Sequence, residues 1–501
     1  MEFFDPDDYP SDNDYFYEKY PTAFDGDSYF KSQRKLEVLK DMRKKINWEI
    51  EEERNELLDR LYPFISDWDG RFIDLRDVFR TEEIDWLLTK DVKNDNGSCD
   101  PFRMGDPIIK FVIDTGYKDE PKLDEVGKPQ LRRTTAVHHA ARLGHFYIVD
   151  SLFKIYNRFD VNYTDESGWT HFHAACVSGC HSVVEKFLKL GQDPNCIVTK
   201  TGDSPLHLAL AGGHKYVARS LLRHGADPNS VDERGSTPLH AICKRDDDGA
   251  SLAKMFFEIN EEKNQLVRVD AEDKLGRTPL QWAAASLLPD AVEILLNRGA
   301  DLSSFVFPDV TYFGEGFEAA NSRIDLKLKL ASGAVAVVDR LEKRGYRLDR
   351  SDVLTIMRLF AKSGLFERSK DLGKFWHNDK QFTSGARKIM IDSGLSLYDL
   401  IETPIEEAKK PLDFAPHWWS EHLHDYWMLP EWSRKACVAH LCEIITRRLC
   451  RRWTLEFFSE LTQRRLTILC CEKIIGQLTN EDMLRICLAA EIVTNERPRN
   501  I

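Results

Sequence analysis

A four-residue pattern recurs through the middle of the chain: Thr135-Ala136-Val137-His138, Thr170-His171-Phe172-His173, Ser204-Pro205-Leu206-His207, Thr237-Pro238-Leu239-His240 and Thr278-Pro279-Leu280-Gln281. Successive copies are offset by 35, 34, 33 and 41 residues. A period of that length is one supersecondary unit that cannot bury its apolar face alone, so neighbouring units must stack. The residues say what each unit is. Thr or Ser caps a helix start, Pro tolerates the first helical position, and the small side chains of Ala140, Ala141, Ala174 and Ala175 admit a second helix at close range. That second helix follows in Val183, Val184, Phe187 and Leu188, in Val217, Leu221 and Leu222, and in Val292, Leu295 and Leu296. Gly191, Gly225 and Gly299 stop it, and Asp-Pro-Asn at 193–195 and 227–229 starts the next turn.

These motifs resemble the Thr-Pro-Leu-His-x-Ala signature of ankyrin repeats. The resemblance implies an all-α fold: an ankyrin-repeat solenoid of helix pairs joined by β-turn loops, flanked by N-terminal helices and a C-terminal helical domain. It gives five clear units over residues 131–302, with an insertion of about eight residues within 246–268. Asp246-Asp247-Asp248 replaces the usual corner there and makes 246–268 a candidate specificity element. In such repeats the recurrent histidine ties neighbouring turns together, so His138, His173, His207 and His240 are expected to be scaffold. A protein partner would lie across the turn tips and inner helices. The candidate contacts carried over by position are Trp169, Lys200, Arg234, Arg277, Trp282, Lys244 and Arg245, with Trp169, Trp282, Arg234 and Arg277 as anchors, because exposed aromatics and arginines dominate interface energies.

The flanks read as follows. Residues 1–30 form an acidic, aromatic tail that should not fold alone. N-terminal helices occupy 31–80, including a charged packing helix from Ser32 to about Leu61 with Leu36, Leu39, Ile46, Ile50, Leu57 and Leu61 near one face. A degenerate repeat at 81–130 is read from Gly105, Ile108, Ile109, Val112 and Gly116. Another at 303–350 is read from Gly333, Val337, Val338, Leu341 and Gly345. Helices continue over 351–402, a linker-like stretch runs from 403 to 432, and a compact helical segment fills 433–501.

Within that last segment, Thr479 and Asp482 form a capping box, so one helix ends near Leu478 and another begins directly after it. Leu466, Ile474, Ile475, Leu478, Asp482 and Leu484 stand where an F-box has its leucines, paired aliphatics and Asp-Leu, and Met483 lies beside them. Thr467 replaces the F-box proline, and only 36 residues remain from Leu466 onward. Repeats followed by a truncated F-box resemble the PRANC architecture of poxviral and parasitoid-insect proteins. That resemblance implies docking to the adaptor subunit of an SCF ubiquitin ligase. The same apolar residues could instead simply pack into a core.

Composition limits the remaining options. A net charge of −13 disfavours nucleic acid and acidic membranes as partners of the whole chain. No apolar run approaches the roughly 18 residues of a membrane span, and the opening Met-Glu-Phe-Phe-Asp lacks a signal peptide's basic start. Cytoplasm, or nucleus, and a monomer are expected. Cys437, His440 and Cys442 have zinc-ligand chemistry but fall within one helix without a fourth ligand, and Cys470 and Cys471 read as core. The doublets Arg447-Arg448, Arg451-Arg452 and Arg464-Arg465 read as a solvated basic face. With no P-loop, dinucleotide fingerprint, zincin pair or nucleophile elbow, neither cofactor nor catalysis is expected. The leading reading is a non-enzymatic adaptor; the alternatives are a sequestering protein and an enzyme with an unrecognised site.

Overall fold

The computed structural model describes residues 26–66, 68, 73–94, 107–245, 249–308, 324–367, 379–392, 394–402 and 426–496. The tail before residue 26, Gly105, the Asp246–Asp248 corner and most of the linker-like stretch lie outside the described residues. Residues 1–201 and 202–501 form two compact units.

In the first unit, helices α1 (Gly26–Lys44) and α2 (Glu51–Ile65) replace the single helix expected from Ser32 to Leu61. The break coincides with a contact from far along the chain. The Arg43 guanidinium forks onto the Glu83 carboxylate and lies 5.0 Å from the Trp48 ring, while the Asn47 side chain accepts from the Glu49 N–H. Leu36, Leu39, Leu57 and Leu61 are buried as expected, but Ile50 sits at the break and is exposed. Helices α3 (Thr81–Asn94) and α4 (Pro107–Asp114) follow, and the buried Asp91 carboxylate accepts from the N–H groups of Ile108 and Ile109 at the start of α4. Two repeats complete the unit: α5 (Ala136–Leu143) with α6 (Phe146–Leu152), and α7 (His171–Val177) with α8 (His181–Lys189). Arg133 joins them to α3, bonding Asp85 and Asp119, with Tyr156 and Tyr163 donating to the same two carboxylates.

The second unit begins with three more pairs. These are α9 (Pro205–Ala211) with α10 (Lys215–Arg223), α11 (Pro238–Cys243) with α12 (Ala250–Glu262), and α13 (Pro279–Ala285) with α14 (Pro289–Asn297). Left-handed backbone ends the second helices at Gly191, Gly225 and Gly299, with φ between +86° and +92°, and Asn264 takes that place at φ +53°. Part of the insertion is helical. It lengthens α12 to 13 residues against nine in α10, and Leu252, Met255, Phe256, Phe257 and Ile259 bury it.

After the repeats, α15 (Ile324–Lys343) runs unbroken through Gly333, so no helix pair forms at that glycine. A Cβ at Gly333 would come within 3.0 Å of the Leu287 carbonyl oxygen, which explains the residue as close packing and not as a corner. Val337, Val338 and Leu341 are buried, and Gly345 ends the segment at φ +96°, as expected. Next come α16 (Arg350–Lys362), α17 (Lys380–Ala386), a small antiparallel hairpin of β1 (Met390–Asp392) and β2 (Leu395–Ser396), and α18 (Leu397–Glu402). The hairpin interrupts what the sequence suggests is entirely helical. Tyr426 and Leu429, at the end of the linker-like stretch, are buried, and the Tyr426 hydroxyl donates to the Arg434 carbonyl at 2.6 Å.

The C-terminal helices are α19 (Glu431–Leu461), α20 (Ile468–Gly476) and α21 (Asn480–Glu496). The long α19 packs against α15, α20 and α21. Arg448, Arg452, Arg464 and Arg465 are exposed, as the solvated basic face requires, whereas Arg447 departs from it. Arg448 and Arg452 pair with Asp339 and Glu342 of α15. Arg447 is buried, donating to the carbonyls of Gly476 at 2.7 Å and Leu478 at 3.0 Å, which closes the end of α20. Glu443 Oε1 accepts from the Asn480 N–H at 3.1 Å and so fixes the start of α21. Among the described residues no helix is long and apolar enough to cross a membrane.

Arg447 and Glu443, both buried, also pair with each other at 3.4 Å, and removing one partner from such a pair leaves the other uncompensated, at a cost of about 3–5 kcal/mol. Arg447→Ala should therefore strip hydrogen-exchange protection from residues 468–496 while leaving the repeat helices protected; equal loss everywhere, or none, would contradict the role given to Arg447.

Candidate partner-binding surface

Each repeat begins with the same reciprocal cap. In all five, the Thr or Ser side chain meets the N–H of the third helical residue, whose side chain reaches back to the cap N–H. That third residue is the recurrent histidine or Gln281. In the first unit His138 Nδ1 accepts from the Thr135 N–H at 3.1 Å, and Nε2 bonds the Tyr163 carbonyl at 3.2 Å; His173 Nε2 reaches the Cys196 carbonyl at 3.1 Å. In the second unit His207 bonds the Ser236 carbonyl at 2.9 Å, His240 the Arg277 carbonyl at 3.0 Å, and Gln281 the Val306 carbonyl at 3.2 Å. The scaffold role read from recurrence is what these side chains perform. The bonding assigns the proton to Nε2, because Nδ1 is already an acceptor.

Aspartates shape the tips. Asp165, Asp232 and Asp273 each accept backbone N–H groups two and four residues on, and Asp124 does the same for Val126 and Lys128. An Asp-x-x-Gly spacing at 124–127, 165–168, 232–235 and 273–276 marks these tips in the sequence.

In the first unit the tips border an open trough of about 1010 Å³, whose lining includes Leu131, Arg132, Arg142, Glu166, Ser167 and Lys200. Lys200 is exposed, as a contact residue should be, whereas Trp169 is half-buried with its ring 6.3 Å from that of His173. Leu131, Arg132 and Arg142 were not singled out from the sequence; the Asp-x-x-Gly tip at 124–127 is the signal that locates the first two, and the tip at 165–168, which Arg142 bonds, the third.

In the second unit Arg234, Lys244, Arg277 and Trp282 gather around Asp273. The Trp282 indole N–H donates to Asp273 Oδ2 at 3.0 Å, with Lys244 Nζ 4.4 Å and the Arg277 guanidinium 5.1 Å from the ring centre. Lys244 also donates to Ser236 Oγ at 2.7 Å. Burial holds its ammonium below the usual lysine range, against the opposing pull of Asp273 and Asp232. Arg245 turns inward instead, donating to the carbonyls of Leu210 and Ala211 at the end of α9. Thus Arg234 stands exposed, Trp282 and Arg277 are half-buried, and Lys244 and Arg245 are engaged within the fold. Of the three anchors expected in this unit, Arg234 is exposed, while Trp282 and Arg277 are only half-exposed beside the contact candidates Lys244 and Arg245.

The F-box-like residues divide. Ile475, Met483 and Leu484 are buried, Leu478 and Asp482 are half-buried, and Leu466 and Ile474 are exposed. Asp482 completes the expected cap, accepting from the Thr479 hydroxyl at 2.7 Å and the Thr479 N–H at 3.2 Å. Helix α20 touches the body along a narrow strip, Cys471, Ile475 and Gly476. Cys470 is exposed, contrary to the core reading. Ile468 and Leu469, 63% and 66% exposed, extend an apolar face the sequence reading left out. Cys437 and Cys442 are buried with thiols pushed up to about 12 by burial, which leaves them as neutral core residues.

The buried histidines make the repeats acid-sensitive. Burial holds His138 down to about 4 and depresses His171, His207 and His240. The unfolded chain takes up these protons near pH 6.5, so it binds more protons than the folded chain between that pH and about 4. Stability is therefore complete above pH 6.5 and falls as pH drops, by about 3 kcal/mol for His138 alone. His138→Gln keeps an acceptor and a donor without a titrating group, so the variant's urea midpoint should decline less between pH 7 and 4.5; an unchanged decline would show that His138 is not a source of it.

A family model described as "Ankyrin repeats (3 copies)" matches residues 103–198, 137–232, 181–263 and 206–305. The human neurogenic locus notch homolog protein 4 is 35% identical over 123 residues, which is 25% of this chain and 6% of that protein. The chain thus spans a small fraction of that relative's length. Together with the five helix pairs and their shared cap, these matches identify the middle of the chain, over 103–305, as ankyrin repeats.

Proposed function

We propose that the chain is a non-enzymatic adaptor in the cytoplasm or nucleus. It binds a partner protein across the tips of its ankyrin repeats and presents α20 to the adaptor subunit of an SCF ubiquitin ligase. One observation supports the second half: α20 is an apolar helix that buries one strip and turns Ile468, Leu469 and Ile474 to solvent beside Leu466. An exposed apolar cluster on an ordered element is the usual mark of a protein contact. The F-box resemblance of residues 466–484 gives that contact its chemistry. The repeats would then hold the protein to be modified.

The rival reading, a sequestering protein without ligase recruitment, draws on the burial of Ile475, Met483 and Leu484, which pack and do not face a partner. Truncation at Arg465 would strip buried Cys471, Ile475 and Met483 from α19 and confuse lost binding with lost folding. Ile468→Glu with Leu469→Glu in the full chain avoids this, because both side chains are exposed. Affinity capture should recover the SCF adaptor and cullin with the parent chain and lose them, about tenfold or more, with the double variant. Recovery of other partners without any ligase subunit would favour sequestration.

A further inference from the structure

The trough of the first unit has a definite chemistry. Arg132 and Lys200 are exposed on its lining, and neither side chain has a hydrogen bond or ion pair among the described residues. Arg142 adds a third cation, held over the tip by Asp165 and Ser167. The Asp165 carboxylate is turned inward, bound by the N–H groups of Ser167 and Trp169 as well as by Arg142, so it projects little charge. Glu166 is the remaining acid of the lining. Beside these cations, Leu131, Leu123 and Val126 are 44%, 59% and 81% exposed on the neighbouring 121–131 hairpin. A groove that combines exposed cations with an exposed apolar edge fits a peptide that alternates acids with large apolar side chains.

The chain carries such a peptide. Residues 1–25 contain eight acids (Glu2, Asp5, Asp7, Asp8, Asp12, Asp14, Glu18, Asp25) against Lys19, interleaved with eight aromatics including Phe4, Tyr9, Tyr15 and Phe16. They join the folded unit at Gly26, where α1 begins. An extended segment of this length reaches roughly 85 Å, several times the radius of gyration, about 16 Å, of a unit of some 200 residues. Tethering gives such a segment an effective concentration on the order of millimolar, far above that of a free competitor. We propose that residues 1–25 occupy the trough of their own chain and cover the Arg132 and Lys200 end of the repeat surface until a partner displaces them. This rests on reading the repeat tips as the partner surface, but its test requires no partner.

A photo-reactive benzophenone side chain is placed at Phe16 in the full chain, and the crosslinked peptides are mapped after irradiation. Crosslinks should fall within residues 123–132, 164–168 or 199–200, with a yield independent of protein concentration over about a tenfold range, as an intramolecular contact requires. Arg132→Glu with Lys200→Glu, both exposed and so compatible with folding, should cut that yield at least about fivefold, and so should salt near 1 M. Crosslinks elsewhere, a yield rising with concentration, or one indifferent to the charge reversals would each overturn the proposal. Partner capture by the repeats is read separately and stands or falls without it.

Discussion

Everything in the repeat segments depends on one two-sided side chain. A helix pair leaves N–H groups unpaired at its first turn and carbonyls unpaired at the neighbouring tip, and an orphaned buried group costs about 1–3 kcal/mol. The histidine at the third helical position answers both needs, accepting at Nδ1 and donating from Nε2. Gln281 does the same with an amide oxygen and an amide N–H. What is required at this position is an acceptor and a donor at the right separation, and imidazole is one way to supply them. Alanines behind the cap then let the second helix approach, and the left-handed residue after it returns the chain to the next tip.

That logic is local, which is why the repeats could be read from the sequence. Cap, proline, small residue, apolar spacing and glycine all fall within one period, and each acts on neighbours a few residues away. What escaped was set by distant contacts. The break between Lys44 and Glu51 follows from Glu83 drawing Arg43 aside, some forty positions away. Gly333 has the look of a corner, yet it answers to the Leu287 backbone. Arg447 looks like part of a solvated stripe until the carbonyls of Gly476 and Leu478, some thirty positions on, draw it inward.

The candidate contacts show the same division. Positions on the tips were legible, because the turn that carries them is part of the repeat. Their availability was not. Lys244 and Trp282 face each other only because successive inner helices bring them to 4.4 Å, and Arg245 is drawn back to the carbonyls at the end of α9, some 35 positions earlier. At the C-terminus, Ile474 and Ile475 are neighbours in the sequence, and only packing against α19 decides that Ile475 joins the contact strip while Ile474 meets water.

The buried guanidinium of Arg447 has a consequence for how α20 meets anything that lands on it. The end of α20 and the start of α21 are held by Arg447, Glu443 and Asn480 inside the same unit. The helix is therefore a preorganised ledge and not a segment that folds as it binds. Its ordering entropy is met during folding, so an incoming surface finds the apolar side chains already in place and loses little of its contact energy to arranging them. Selectivity at such a ledge comes from shape, since a rigid helix rejects what it does not fit.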